Sequence, residues 1–180
     1  MIEDIIIRDV NRSIKITRIV LETIRTYIQY ERCTPEAGGI LAGKENVSDR
    51  NLIIDFLTEP MHHDVCKRTR FIRKDKNHKA QFQRLYHDND ETYRYVGEWH
   101  THPEANPSYS FIDLENWCKL ANEDQYNKDH FQLIAGTEFV RIWKVDKNMK
   151  PLLLCSWSWK DNVLGSIIPP NVLEQEENAE

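Results

Sequence analysis

The chain has 180 residues, of which 40% are hydrophobic and 29% charged, and its formal net charge is −5. This length predicts one domain whose core is large enough to need no disulfide bonds. No apolar run approaches the roughly 18–20 residues needed to span a bilayer, and the N-terminus lacks the basic region of a secretory signal. The composition therefore excludes a membrane span, a secreted disulfide scaffold and a wholly disordered chain, and predicts a cytoplasmic protein.

The cysteines are scattered, without a Cys-x-x-Cys pair. They are Cys33, Cys66, Cys118 and Cys155. In a chain without a signal peptide this pattern predicts free, reduced thiols. A metal site at His62-His63-x-x-Cys66 is an alternative, but no second pair of ligands lies near it in sequence.

The charge is unevenly distributed. Residues 62–79 carry seven basic and two acidic side chains, a net charge of +5, which leaves −10 for the rest of the chain. The seven bases lie between 67 and 79 and are Lys67, Arg68, Arg70, Arg73, Lys74, Lys76 and Lys79. This basic segment is either a solvated strand edge and helix face or a docking surface for an acidic partner. Nucleic acid is not the expected partner, because the whole protein is acidic and Phe71 alone interleaves with the bases.

The first predicted element is an amphipathic helix over 16–28, where apolar residues recur at three- and four-residue spacings. Pro35 marks its end, because the residue before a proline disfavours helix. Small residues in the segment 37–43 allow a close backbone approach around a short buried strand. A second strand is predicted over 51–57, after a turn at 46–50.

Strands and helices alternate farther along the chain. The remaining predicted elements are a strand at 69–73, a helix at 75–87, a strand at 94–100, a helix at 114–121, and strands at 131–135, 139–145 and 152–159 with a hairpin near 136–137. Helices between strands favour an α/β fold with a mixed β-sheet flanked by helices. We expect one domain over residues 1–165, followed by an acidic, disordered tail at 166–180.

The chemistry of the chain is concentrated around two closely spaced histidines. His100 and His102 are two residues apart at a predicted strand end, so both imidazoles lie on one face of the strand. A loop with two prolines follows, and Asp113 then begins the next helix and returns a carboxylate toward the histidines. Two histidines and one carboxylate, with water in the fourth position, are typical of a catalytic zinc site.

The same residues allow a second interpretation. Ser110 and Asp113 have the spacing of a helix N-terminus, in which Ser110 caps the helix and Asp113 accepts backbone N–H bonds. Taken alone, this pair favours capping; taken with His100 and His102, it favours a metal site. A pair of packed or solvated histidines on a sheet face is the remaining alternative.

A zinc hydrolase also needs a general base to take a proton from the bound water. Glu36, Glu98 and Glu104 are the candidates by position. Glu98 shares the strand face of His100, so it could act as the base or orient a histidine instead. Glu104 lies in the proline loop and is expected to be exposed, whereas Glu36 directly precedes the small-residue strand. Spacing alone does not choose among the three.

The three segments that carry these residues resemble a known family. They read Glu-Ala-Gly-Gly-Ile-Leu-Ala-Gly at 36–43, His-Thr-His-Pro at 100–103 and Ser-Phe-Ile-Asp at 110–113. This pattern resembles the JAMM (JAB/MPN-plus) metalloproteases at every position, over about residues 14–160. The resemblance implies a single-domain MPN (JAB) fold with an α-β-α arrangement.

The resemblance also implies the role of each residue. His100, His102 and Asp113 would ligate one catalytic zinc ion, Glu36 would be the general acid/base, and Ser110 would stabilise the tetrahedral intermediate through its hydroxyl. The family cleaves isopeptide or peptide bonds after the C-terminus of ubiquitin-like modifiers. Glu36 is implied to pass a proton from the attacking water to the departing lysine amine.

Two segments, 69–74 and 97–108, look like the standalone bacterial JAB proteins of CBASS antiphage operons. That likeness implies a protease that releases the C-terminal tail of a conjugated cGAS-like nucleotidyltransferase (CD-NTase) from a target protein. The alternative within the family is the JAB protease of bacterial ubiquitin-like (BilABCD-type) operons, which acts on a ubiquitin-like modifier.

Two other classes of protein remain as rivals. The intact ligand set argues against a non-catalytic MPN interaction module, and the absence of a Pro-Cys-x-x-Cys motif argues against a zinc deaminase. No membrane partner is expected. We expect the other five histidines to lie on the surface; these are His62, His63, His78, His87 and His130.

Overall fold

The described part of the chain is residues 2–10, 12–124, 129–146 and 150–160 of a computed structural model, and it contains ten strands and three helices. In chain order these are β1 (Ile5–Asp9), β2 (Arg12–Ile16), α1 (Arg18–Arg25), β3 (Gly38–Glu45), β4 (Leu52–Leu57), β5 (Val65–Lys67), β6 (Arg70–Ile72), α2 (Asn77–Asp88), β7 (Tyr93–Thr101), α3 (Phe111–Glu123), β8 (Asp129–Ala135), β9 (Phe139–Asp146) and β10 (Leu152–Ser158). Eight strands form one sheet in the order β1-β2-β4-β3-β7-β8-β9-β10, and β5 and β6 form a separate hairpin.

Strand β7 lies in the middle of the sheet, between β3 and β8, and carries His100 near its end. It pairs antiparallel with β3, which places Gly38 opposite His100, and parallel with β8, which places His100 opposite Ile134. A parallel pair needs a crossover connection, and α3 supplies it between β7 and β8. The end of β7, the start of β3 and the start of α3 therefore meet at one end of the two central strands.

Helices cover both faces of the sheet. Helix α1 buries Leu21 and Ile24 in the main core with Leu133 of β8, whereas α3 buries Trp117 against Ile134 in a second cluster. Because Leu133 and Ile134 are consecutive in a strand, their side chains point to opposite faces. Burial of each such side chain contributes about 1.5–3 kcal/mol. The predicted mixed sheet between helices is confirmed.

The predicted elements after residue 37 are confirmed, with ends shifted by a few residues. The predicted helix over 16–28 is shorter, because Ile16 ends β2 and Thr17 is the N-cap of α1. Strands β1, β2 and β5 were missing from the prediction. In β1 the three consecutive isoleucines conceal the alternation, since Ile5 and Ile7 are buried while Ile6 is exposed.

The predicted tail at 166–180 lies outside the described residues, so the domain boundary at residue 165 stays a prediction. All four cysteines are free, as expected. Among the described residues no helix combines the length and the apolar character that crossing a membrane requires.

The prediction that five histidines lie on the surface is wrong for two of them. His62, His63 and His87 are exposed. His78 is fully buried between α2 and the sheet, and His130 is 1% exposed on β8, where its ring contacts that of Tyr95 in a tilted arrangement. Both face neighbouring elements rather than water, a property that the local sequence pattern did not reveal.

Candidate metal centre

The two histidines of the predicted metal site lie at the end of β7. Because side chains alternate along a strand, His100 and His102 share one face, and their Nε2 atoms are 3.0 Å apart. Thr101 between them is buried and points the other way. Its hydroxyl accepts a hydrogen bond from the N–H of Ala37 and its own N–H donates to the carbonyl of Ala37. These two bonds fix the start of β3 beside the histidines.

Asp113 approaches the histidines from the first turn of α3. Its Oδ1 lies 3.4 Å from His100 Nε2, and its Oδ2 lies 3.5 Å from His102 Nε2. Ser110 is the N-cap: its hydroxyl accepts from the Asp113 N–H, while its own N–H donates to Asp113 Oδ2 at 2.7 Å. The capping and metal-site interpretations are therefore not alternatives, because one carboxylate has both sets of neighbours.

The spacing of these three side chains suits a metal ion. Within the described residues they are the one group of three or more His, Cys, Asp or Glu whose ligand atoms lie close enough together, all within 4.8 Å. Ligands about 2.0–2.1 Å from a tetrahedral ion lie roughly 3.3–3.4 Å apart. The two histidine–carboxylate distances, 3.4 and 3.5 Å, are close to that spacing, and the two Nε2 atoms lie nearer to each other, at 3.0 Å. The alternative site at 62–66 has no such grouping.

The protonation states at the cluster also favour a ligand role. Burial alone would raise the pKa of the Asp113 carboxyl, but hydrogen bonds from His100, His102 and Ser110 outweigh it and hold that pKa well below its usual range. Burial alone would lower the pKa of His102, but its hydrogen bond to Asp113 and the charge of Glu36 raise it. Asp113 is therefore ionised, and a metal ion would compete with a proton for His102.

Glu36 precedes β3 and lies across the cleft from the ligands. Glu36 is 5% exposed. This burial, together with the charge of Asp113, raises the pKa of the Glu36 carboxyl to about 7. The charge of His102 and a hydrogen bond from the backbone N–H of Phe71 act in the opposite direction. A carboxyl with this pKa can take up and release a proton near neutral pH.

The histidine–aspartate cluster is flanked by two clefts. One, of about 170 Å³, is lined by Glu36, Arg70, His102 and Ser110, and we call it the Glu36 cleft. The other, of about 240 Å³, lies between β7 and α3 and has Arg73, Glu98, His100 and Asp113 among its lining residues. A polypeptide chain passing over the cluster would contact both.

The other two candidate bases are placed differently. Glu98 accepts hydrogen bonds from Arg73 Nε at 2.8 Å and from its terminal nitrogen, so it is bound to an arginine rather than to a histidine. Glu104 lies at the rim of the Glu36 cleft with its side chain 56% exposed, and its predicted exposure is confirmed. Of the three, only Glu36 is a buried carboxyl facing the cluster.

Sequence reasoning missed the contribution of the hairpin β5–β6. The carbonyl of Lys67 accepts the N–H of Glu36 at 2.8 Å, and Phe71 lines the cleft beside the Glu36 carboxyl. The pattern at 69–73 predicted a strand, but nothing in it predicted that this strand packs against β3. Backbone contacts of this kind carry no residue-type signal.

The profile of the family described as prokaryotic homologs of the JAB domain matches residues 20–152. The chain belongs to this family. The family match confirms the resemblance that the three motifs predicted, and it covers all the candidate site residues.

Curated relatives of this JAB-domain protein share one name, CD-NTase/cGAS isopeptidase. The relative from Escherichia coli is 33% identical over 150 residues, which cover 82% of this chain and 92% of the relative. Those from Pseudomonas aeruginosa and Vibrio cholerae are 33% and 32% identical and cover 74% and 72% of this chain and 84% and 80% of their own lengths. Together with the JAB domain, these relatives identify the protein as a hydrolase.

A solved structure shows the same fold at low identity. The solution structure of a protein from Desulfitobacterium hafniense superposes with a TM-score of 0.50 at 14% identity, covering 77% of this chain and 87% of that one. The likeness supports the fold alone.

Proposed function

We propose that this JAB-domain protein is a zinc-dependent isopeptidase that releases a conjugated CD-NTase from its targets in antiphage defence. The observation that carries the proposal is the buried Glu36 carboxyl facing the cluster of His100, His102 and Asp113. The relatives named CD-NTase/cGAS isopeptidase support the choice of substrate.

His100, His102 and Asp113 would hold the ion. When bound, zinc supplies a water with a pKa near 7 and polarises the carbonyl of the bond to be cleaved. Glu36 takes the proton from the attacking water and gives it to the departing lysine amine. Its pKa of about 7 suits both steps, because the carboxyl must be a base in the first and an acid in the second.

Ser110 would stabilise the carbonyl oxygen of the bond to be cleaved, which becomes negatively charged during the reaction. Its hydroxyl donates to Asp113 Oδ2 at 2.7 Å, and its backbone N–H donates to the same oxygen. If the hydroxyl turns toward the substrate, Asp113 keeps the backbone bond. Ser110 can therefore stabilise the developing charge without leaving Asp113 unpaired.

The basic segment would dock an acidic stretch of the substrate. Arg70 lines the Glu36 cleft and is exposed, as are Lys67 and Lys74. Arg73 and Arg68 are engaged within the protein, Arg73 with Glu98 and Arg68 with backbone carbonyls. Arg70 is therefore the member of the segment best placed to meet a substrate.

The test is cleavage of a CD-NTase C-terminal tail joined to a lysine side chain or fused to a reporter protein. We expect zinc-loaded protein to cleave it, and Glu36→Ala to bind zinc normally but to cleave about 10²–10⁴-fold more slowly, because the proton-transfer group is lost. Full activity of Glu36→Ala would remove Glu36 from the mechanism.

The same assay separates the rival functions. A ubiquitin-like fusion cleaved faster than the CD-NTase tail would favour the alternative substrate of BilABCD-type operons. Failure to cleave either fusion with zinc bound would favour a non-catalytic module.

A further inference from the structure

The hairpin β5–β6 contacts Glu36 at its backbone and lies beside its side chain. The N–H of Glu36 donates to the carbonyl of Lys67 at 2.8 Å, and Phe71 lines the same cleft as Glu36, where its backbone N–H acts to lower the pKa of the Glu36 carboxyl. The Phe71 ring packs closely against Gly38 of β3, where an added Cβ would be 2.5 Å from the Phe71 Cδ1 atom. The position of Glu36 therefore depends on the position of the hairpin.

The hairpin is joined to the rest of the protein at its turn, where Arg68 donates to the carbonyls of Glu31 and Thr34 and Gln29 donates to the carbonyl of Arg68. Its two strands have three residues each, and they pair with each other rather than with the eight-stranded sheet. A two-stranded hairpin alone is marginally stable in water. Apart from these contacts at its turn, its position must therefore be set by the chain on either side of it.

Asp64 joins the two ends of the segment that contains the hairpin. Its carboxylate accepts hydrogen bonds from the N–H of Met61 before the hairpin and from those of Lys74 and Asp75 after it, at 2.8–2.9 Å. A fourth bond, at 2.7 Å, comes from Nε2 of His78, and the side chains of Asp64 and His78 are both fully buried.

His78 connects this carboxylate to the central sheet. Its Nδ1 atom is hydrogen-bonded to the hydroxyl of Thr58, which also accepts the N–H of Ile40 in β3. The carbonyl of Thr58 accepts from the indole of Trp99, the residue before His100. One assignment of protons satisfies every bond: the Thr58 hydroxyl donates to Nδ1, and Nε2–H donates to Asp64.

We propose that Thr58, His78 and Asp64 form a buried clasp that positions the hairpin and, through it, the Glu36 carboxylate. The inference rests on the proposed role of Glu36. The three are positioning residues and not a nucleophilic triad, because the side chains of Asp64 and His78 are fully buried and Thr58 is 1% exposed, so no substrate reaches the hydroxyl.

The clasp is tested with Asp64→Asn and His78→Gln in the full chain, read out by kcat, zinc affinity and hydrogen exchange at the Phe71 amide. A shift of a catalytic group by about 1 Å costs on the order of 10²-fold in rate, so we expect kcat to fall by about that factor. Zinc affinity should be unchanged, because the ligands lie on β7 and α3. Phe71 should exchange faster while the core amides of β7 stay protected.

His130→Gln is the matched control. His130 is also a buried histidine beside a carboxylate, 3.6 Å from Asp124, but it lies on β8 away from the hairpin. It should lower the melting temperature as His78→Gln does, and leave kcat and Phe71 exchange unchanged. If His78→Gln and His130→Gln lower kcat equally, the effect of His78→Gln comes from a general loss of stability, and the proposal is overturned.

Two readouts keep the clasp separate from the proposed function. Hydrogen exchange and zinc binding can be measured without substrate. If the wild type cleaves neither fusion, the isopeptidase assignment is refuted, but hydrogen exchange at the Phe71 amide still tests the clasp. If the variants do not fold, wild-type exchange decides: the amides of Phe71, Lys74 and Asp75 should open in one cooperative event with the same denaturant dependence. Independent opening of these amides, or unchanged Phe71 exchange in folded variants, contradicts the clasp.

Discussion

At the level of single residues, Glu36 is a carboxyl in a buried position that disfavours its charged form. Burial raises the pKa of Glu36 to about 7 from an ordinary value of 4.5. When the pKa of a carboxyl is higher in the folded than in the unfolded state, the protein loses stability as pH rises from the unfolded pKa to the folded pKa. The reason is that the folded protein holds the proton more tightly than the unfolded chain does. The functional group therefore costs stability at neutral and alkaline pH.

This cost predicts that Glu36→Gln stabilises the metal-free protein at pH 8. A rise from 4.5 to about 7 corresponds to at most about 3 kcal/mol. The gain should shrink toward zero near pH 4.5, where wild-type Glu36 is protonated in both states. Urea unfolding of chelator-treated wild type and variant at pH 4.5 and 8 measures it. An equal difference at both pH values would contradict the assigned pKa.

Ser110 is the N-cap of α3 and, in the proposed mechanism, also a donor to the developing oxyanion, and substitution can separate these two roles. Loss of an N-cap hydroxyl costs about 1 kcal/mol for alanine but only a few tenths for glycine. Loss of a donor to the developing oxyanion costs roughly 10²–10³-fold in kcat for either variant. We therefore expect Ser110→Ala and Ser110→Gly to differ in thermal stability and to be equally slow. If kcat instead follows stability, capping is the only role of Ser110.

At the scale of elements, the pairing of β3 with β7 assembles the site. The alternation in β7 and the spacing of Ser110 and Asp113 allowed the ligand set to be predicted from sequence. The choice among three glutamates could not be made that way, because it depends on which strand pairs with β7. Family resemblance favoured Glu36, and the strand register then places it beside His102. The contacts of the hairpin β5–β6 with Glu36 are made by backbone groups, so they left no pattern to predict.

The hairpin also carries Arg70, the residue of the basic segment that we propose meets the substrate, and this predicts an effect of charge reversal at Arg70. Arg70→Glu should raise KM by up to about fivefold at low salt, the range expected for an exposed charge pair. The effect should decrease at high salt, because the Debye length shortens. Steady-state kinetics at two ionic strengths measures both.

Lys79→Glu is the control for this prediction. It makes the same change of charge in the same basic segment, but on α2 and outside the Glu36 cleft. A KM for Arg70→Glu that equals the KM of Lys79→Glu would assign the effect to net charge. Arg73 is unsuitable for this test, since its reversal would break the bond to Glu98.

At the scale of the whole molecule, one sheet edge collects three segments that are distant in sequence. The antiparallel partner β3 delivers Glu36, the end of β7 delivers His100 and His102, and the crossover helix α3 delivers Asp113. Arg70 and Arg73 of the basic segment line the two clefts beside this site, while the chain outside residues 62–79 has a net charge of −10. An acidic substrate tail would therefore be attracted to the site and repelled elsewhere.

Hydrolysis by this protein should depend on a metal ion held by this cluster. The most direct measurement is cleavage of the CD-NTase fusion by chelator-treated protein before and after addition of one equivalent of zinc. Wild type should be inactive without zinc and regain its full rate with it, whereas His102→Gln should stay inactive because a ligand is missing. Cleavage by the metal-free wild type, or recovery of His102→Gln at one equivalent, would contradict the account.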